Sequence, residues 1–464
     1  MTTQTESHNI KSQANMDYNF QNIEGERFIC INALEAIPTF FVSMISAQDH
    51  WFFTATNGAL SAGRGSPDHA LFPYYTVDKI INNSNCTGPQ TIVKVADKVW
   101  EPFKSSSERI FSICRKIYKS INGDTLIFEE INNDLNLTFS YTWSTSEKYG
   151  FIRRSKLVNL GSGSIEISLV DGLSDFLASG VDDRTHLAYS CLTDAYKVSE
   201  LESSKQMLVH RMVASLVDEA IPLECLKATV LWSHGWDESS ILIQEADVEA
   251  FLDNPSFEST HFSRGLRGCF YNAGSFQLGS KETKSWSVVV DIDKTQSEVA
   301  TLAIALKDKD ALWESVTEDI AKGRNALEEL IQASDGLQVC SEEIVSTYHR
   351  ANVLFNIMRG GVFSDNYLIS KSLLKPHLVK HNSKLNAADL AIIDALPEEF
   401  NYNELVAASA NGSPDLQRIC NEYLPLVFSR RHGDPSRPWN RFNIKTKDEG
   451  GNPIVGFQGN WRDI

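Results

Sequence analysis

The chain has 464 residues, 42% of them apolar and 22% charged, and a formal net charge of −17. That length is enough for roughly two to four domains with sizeable cores. The acidic balance argues against nucleic acid or an anionic membrane as the main partner and suits a neutral substrate.

Residues 1–24 are polar with little to bury, so they are expected to be disordered; they also lack a positive segment followed by an apolar run. No uninterrupted apolar window of about 18 residues occurs, and no transmembrane helix is expected. The eight cysteines are spread thinly without a CxxC pair, which suits reduced thiols in a cytoplasmic protein. The sequons at Asn82, Asn85, Asn136 and Asn411 are then without consequence.

From 25 to 306 the pattern is that of β-structure. In Thr125–Trp143 an apolar run is followed by a polar turn at Asn132-Asn133-Asp134. Leu135, Leu137, Phe139, Tyr141 and Trp143 then alternate with mostly polar residues. Period two with a turn between predicts a half-buried hairpin. Ile165, Ile167 and Leu169 repeat the alternation after Gly161-Ser162-Gly163, as do Trp286, Val288 and Val290 further on. Many short strands without long amphipathic helices between them point to a large antiparallel sandwich. Only Asp183–Leu216 reads as an excursion that includes helix.

Near Lys307 the period changes. Leu312, Val316, Ile320, Leu327 and Ile331 fall at helical spacing and stop at Asp335-Gly336. Ser341 can cap a second helix carrying Ile344, Tyr348 and Phe355, ended by Gly360-Gly361. More helices are expected over 370–381, 387–395 and 413–424, the last with Pro414 at its first helical position. An all-β part is therefore followed by an all-α part.

The chemistry-bearing signals are sparse. Arg359-Gly360-Gly361 lacks the spacing of a phosphate loop and reads as a helix end. His349 reads as a surface or interface residue, while His234 and His261 stand alone, so no metal site is expected. Asn57–Gly65 is either a hairpin with a long turn or a loop overhanging a sugar site. Glu129-Glu130 and Glu342-Glu343 read as exposed charges. Residues 429–464 differ from all of this: seven cations, Trp439 and Trp461 punctuated by Gly and Pro. An indole face beside a cation, a carboxylate and an amide suits a sugar, whose CH face stacks while its hydroxyls bind in bidentate fashion. The alternative is a basic loop anchored by two tryptophans.

Three passages carry a family resemblance: WFFTATNGALSAGRGSPDHALFPYYTVDKI, FEEINNDLNLTFSYTWSTSEKYGFIRRSKLVNLGSGSIEISLVDGL, and the closing RPWNRFNI…GNWRDI. Together with YHRANVLFNIMRGGVFSDNY they resemble the N-terminal portion of the cellobiose and chitobiose phosphorylases, glycoside hydrolase family 94 (formerly glycosyltransferase family 36). The resemblance implies a β super-sandwich over 25–306 and a helical linker over 307–385. It then implies the start of an incomplete (α/α)6 barrel over 386–464.

It further implies inverting phosphorolysis of β-glycosidic bonds in oligosaccharides such as cellobiose. Inorganic phosphate would be the co-substrate, no cofactor would be needed, and a homodimer is compatible. Trp461, Arg462 and Asp463 resemble the family's aromatic-Arg-Asp motif that holds sugar hydroxyls, with Trp439 and Arg441 beside them as substrate-binding residues. The family's general-acid motif does not occur, so this polypeptide alone is expected to be inactive. A non-catalytic carbohydrate-binding or assembly module is the alternative, and a structural scaffold is a third.

Overall fold

The structure is a computed structural model that describes residues 18–202, 204, 206–214, 216, 226–255, 257–333, 336–337, 339–359, 362–363, 368–423, 426–428 and 457–459. Two paired strands, β1 (Tyr18–Ile23) and β2 (Glu26–Ile31), come first and turn through Glu24 and Gly25, both at positive φ. Part of the stretch expected to be disordered is thus an edge strand, because Phe20 and Ile23 are satisfied by pairing across to residues of β2. A meander follows, β3 (Phe41–Met44), β4 (His50–Ala55), β5 (Leu60–Arg64) and β6 (Ala70–Phe72). The β4–β5 turn is tight, closed by the Ala55 N–H donating to the Ala59 carbonyl. Of the two readings of Asn57–Gly65 the hairpin is the one formed, with a short rather than a long turn and Leu60–Arg64 as its second, mostly buried strand.

Helix α1 (Val77–Asn82) leads to β7 (Gly88–Val95) and β8 (Lys98–Trp100), and α2 (Ser105–Glu108) to a ladder of hairpins. These are β9 (Ile113–Ser120), β10 (Leu126–Asn132), β11 (Leu137–Ser146) and β12 (Gly150–Asn159). The predicted hairpin is the β10–β11 pair, with Leu126 opposite Trp143 and Asn132 opposite Leu137. Then come β13 (Ile165–Phe176), helix α3 (Asp183–Ala195), β14 (Lys197–Leu201), β15 (Met207–Met212), β16 (Lys227–His234) and β17 (Ser240–Leu242). Helix α4 (Glu245–Asp253), β18 (Phe262–Arg264), β19 (Gly268–Leu278) and β20 (Thr283–Thr295) complete this part.

These strands form an eleven-stranded sheet in the order β1-β2-β9-β10-β11-β12-β20-β16-β15-β14-β18. Facing it is a five-stranded sheet, β17-β19-β13-β7-β8, and the meander makes a four-stranded one. The Gly161-Ser162-Gly163 turn is where the chain passes from the large sheet to the small. Between the sheets lies one core in which Phe139, Tyr141, Trp143, Phe151, Trp286 and Val288 meet Ile167, Leu169, Leu173 and Phe270. Each large side chain so buried contributes about 1.5–3 kcal/mol, which is why the alternation was legible.

Charge also crosses that core. Arg153 of β12 is fully buried against Asp171 of β13, 2.7 Å apart. Asp171 accepts further hydrogen bonds from Thr91 (2.6 Å), Ser155 (2.9 Å) and the Trp286 indole (2.7 Å). Glu130, expected on an exposed face, is likewise buried. It accepts from the Trp100 indole, the Phe103 N–H and Arg115 at 2.6–2.7 Å. Its neighbour Glu129 points the other way, as period two requires.

Helices α5 (Gln296–Ala305) and α6 (Lys309–Ala333) cover part of the large sheet's outer face, with Leu312, Val316 and Ile320 on Ile152, Trp232 and Val289. Helix α7 (Glu343–Arg359) packs Leu354 against Leu327 and Ile331 of α6. After the short β21 (Val362–Phe363), a small unit is built from β22 (Leu368–Ser370), α8 (Lys371–His381), α9 (Ala387–Asp394), β23 (Glu399–Asn401), α10 (Tyr402–Ser409) and α11 (Pro414–Glu422). Ser413 caps α11, its hydroxyl accepting from the Leu416 N–H. Leu374 and Leu378 of α8 share one core with Ile393, Leu405, Leu416 and Tyr423. The boundary expected between 385 and 386 therefore runs through a common core, and no (α/α)6 arrangement is formed among the described residues. Two further strands, β24 (Leu426–Phe428) and β25 (Phe457–Gly459), pair with each other, and β24 with β21.

Candidate functional site

Trp461, Arg462, Asp463, Trp439 and Arg441, the residues singled out from sequence for sugar binding, lie outside the described residues. The described residues concentrate polar chemistry at one end of the small sheet. There β13 and β19 pair regularly as far as Ser174 opposite Cys269, and the register then slips so that Phe176 faces Gly268. The extra residue is Asp175, at φ 58. A bulge re-aims its side chain, and a left-handed Asp costs about 1–2 kcal/mol that the surrounding pairing must offset.

The Asp175 carboxylate accepts from the Thr87 hydroxyl at 2.7 Å and lies 3.5 Å from the Arg267 guanidinium. Arg267 also reaches Asp194 at 3.2 Å, and Lys197 holds Asp194 at 2.6 Å. Glu245, the first residue of α4, accepts from Ser174 (2.6 Å) and the Tyr271 phenol (2.8 Å). A cavity of about 630 Å³ opens between these groups, with amides from Gln90 and Gln244 at its sides and Ile92, Val170 and Val248 as apolar floor.

Burial pushes the Asp175 carboxyl up, and Thr87 and Arg267 pull it back only in part. Burial, with Glu245 adding to it, keeps the Tyr271 phenol well above its ordinary range, so it serves as a donor. Arg267 is raised chiefly by Asp175. On the flank of the site His186, buried and near Lys197, is held down at about 4 and is neutral at physiological pH; its Nε2 stands 3.5 Å from the Tyr75 hydroxyl.

Two carboxylates, amides and a guanidinium over an apolar floor form a set that takes polyhydroxylated ligands: acceptors for hydroxyls, donors for ring and bridging oxygens, hydrocarbon for CH faces. Among the described residues no group of three or more His, Cys, Asp or Glu side chains is arranged to hold a metal ion. No helix among them is long and apolar enough to cross a membrane. Asp175, Glu245 and Arg267 escaped the reading of the sequence. Asp171-Gly172 and Ser174-Asp175 both break the apolar stretch Leu169–Leu177, and nothing in the sequence separates the two aspartates.

The model of glycoside hydrolase family 149 insertion domain 1 matches residues 363–425, the segment that contains the small helical unit. No curated protein matches the chain. Among solved structures, a bacterial glucoamylase complexed with acarbose is 13% identical at a TM-score of 0.39, covering 87% of this chain and 59% of its own. A putative kojibiose phosphorylase from the human microbiome is 12% identical at 0.37, covering 88% and 46%. A galactose mutarotase-like protein from Clostridium acetobutylicum is 9% identical at 0.28, covering 60% and 99%. The chain thus spans 59% and 46% of the length of the first two. The family match is to an insertion domain of a glycoside hydrolase family and covers residues 363–425 alone.

Proposed function

We propose that this chain is the sandwich-and-helix portion of an enzyme that cleaves β-linked gluco-oligosaccharides such as cellobiose by inverting phosphorolysis. Inorganic phosphate is the co-substrate. The reading is carried by the match of residues 363–425 to a glycoside hydrolase insertion domain. The hydroxyl-binding character of the cavity beside Asp175 supports it. Phosphate is already an anionic nucleophile, so attack at the anomeric carbon needs one protein acid for the leaving oxygen and no protein base. Trp461, Arg462 and Asp463, with Trp439 and Arg441, hold the reacting sugar in this reading. The family 94 relationship, a cytoplasmic location and a homodimer belong to the same proposal.

The test has two arms: binding of β-glucosides on a glycan array, and phosphate-dependent release of glucose 1-phosphate from cellobiose and longer β-glucans. Binding that Asp175→Asn or Glu245→Gln weakens, with phosphorolysis in the enzyme that contains this chain, supports the proposal. Binding without any phosphorolysis would favour a non-catalytic carbohydrate-binding module. Recognition of no glycan at all would sink both.

A further inference from the structure

Arg153 and Arg154 are adjacent on β12 and meet opposite fates. Arg153 faces the core and is paired with Asp171. Arg154 faces the outer side of the large sheet, where it lines a cleft of about 540 Å³ below α6. Among the described residues it makes no hydrogen bond and no ion pair, although its Nε is shielded from water. A half-buried guanidinium with no partner is costly, since buried cations are ordinarily paired and hydrogen-bonded. Burial pushes it below its ordinary range, with Glu24 of the β1–β2 turn pulling the other way.

Its surroundings are donors in register. Across the sheet Arg154 stands between Thr142 of β11 and Ser287 of β20, and Ser287 in turn faces His234 of β16. One step along, Lys156 stands between Ser140 and Ser285. All line the same cleft. Trp313 of α6 closes one side, its indole stacked on His234 at 4.8 Å and 9°. The other ionisable groups facing the cleft are engaged or at its edge: His234 with Asp310 at 3.0 Å, Glu26 with Arg324, and Glu24 in the turn.

We propose that this cleft binds an oxyanion, a phosphate or carboxylate group carried by a small polyhydroxylated molecule, with Arg154 as its counter-charge. The cross-strand hydroxyls donate to the anion and Lys156 adds charge at the rim, while the Trp313 face takes the apolar side of the attached molecule. The site is separate from the cavity beside Asp175 and does not rest on the enzymatic reading above.

Calorimetric titration and thermal melts of the full chain with inorganic phosphate, glucose 1-phosphate and glucuronate, and with glucose as the uncharged control, test it. Expected is binding of at least one of the three anions, with glucose far weaker, and a melting temperature raised by the bound anion. Arg154→Met should weaken binding by roughly tenfold or more while leaving the unliganded melting temperature equal or higher, because it removes an unpaired charge and keeps the stem. Ser287→Ala should weaken it less. A preference for glucose 1-phosphate over glucuronate assigns a phosphate site, and the reverse a carboxylate site. Failure of all three anions to bind, equal binding of glucose, or unchanged binding by Arg154→Met and Ser287→Ala together would overturn the proposal.

Discussion

Asp171 and Asp175 lie four residues apart on one strand and belong to two kinds of region. Asp171 sits between the sheets, where Arg153, Thr91, Ser155 and Trp286 supply it with donors on both oxygens. Asp175 sits at the bulge, in a left-handed backbone, with Thr87 and a longer contact to Arg267, and it borders a cavity. A carboxylate whose capacity is filled by its own protein can only hold the fold together. One left with spare capacity beside a cavity can bind something else. The same side chain thus reads as architecture or as chemistry according to how completely its neighbours satisfy it.

The sharpest way to break this contrast is to remove one partner from each. Arg153→Met strands Asp171 in the core and should cost about 3–5 kcal/mol in denaturant unfolding; a loss under about 1 kcal/mol would show that the network is not what joins the sheets. Next in size is acid. His210 is fully buried beside Ser199, and burial together with Lys197 holds it down at about 3, while His186 is held at about 4. Both imidazoles are neutral in the folded protein and take up protons more readily when unfolded. Stability should therefore be fully present above about pH 6.5 and decline as the pH falls from there towards 3–4. The measurement is unfolding free energy across that range, and His210→Phe should flatten the decline; an unchanged slope would exclude His210 as its source.

Asp175→Gly should shift stability by no more than about 1 kcal/mol, because glycine relieves the left-handed backbone while adding freedom to the unfolded chain. Glycan binding should nevertheless fall, which melts and array binding on one preparation can separate. Retained binding would return Asp175 to a purely structural role. At the small end, Arg27 and Glu343 pair at 2.6 Å on the surface. Arg27→Ala should change stability only slightly, and by less in high salt. A larger effect would mean that this contact, rather than the Leu327–Leu354 packing, fastens α7.

If the proposed function holds, Arg462→Ala in the enzyme that contains this chain should lower kcat/KM by more than tenfold, about 2–3 kcal/mol for a charge-assisted contact. Unchanged kinetics would remove Trp461-Arg462-Asp463 from the proposed sugar subsite.

What local sequence determined here is the alternation of β10 to β13 and β20, the change to helical period near Lys307, and the Ser413-Pro414 start of α11. Each depends on neighbours within a few residues, whose side chains must face one way to reach a core. The tertiary structure alone decided that residues 18–23 are an edge strand, that Glu130 is buried while Glu129 is not, and that α8 shares a core with α9 to α11. It alone exposed the lack of a partner for the Arg154 Nε among the described residues and the slip that turns Asp175 into a cavity. Those outcomes depend on partners brought together from distant positions, such as Asp171 with Trp286 or Ser174 with Glu245. A register shift is likewise a property of two strands at once, and neither strand's residues announce it alone.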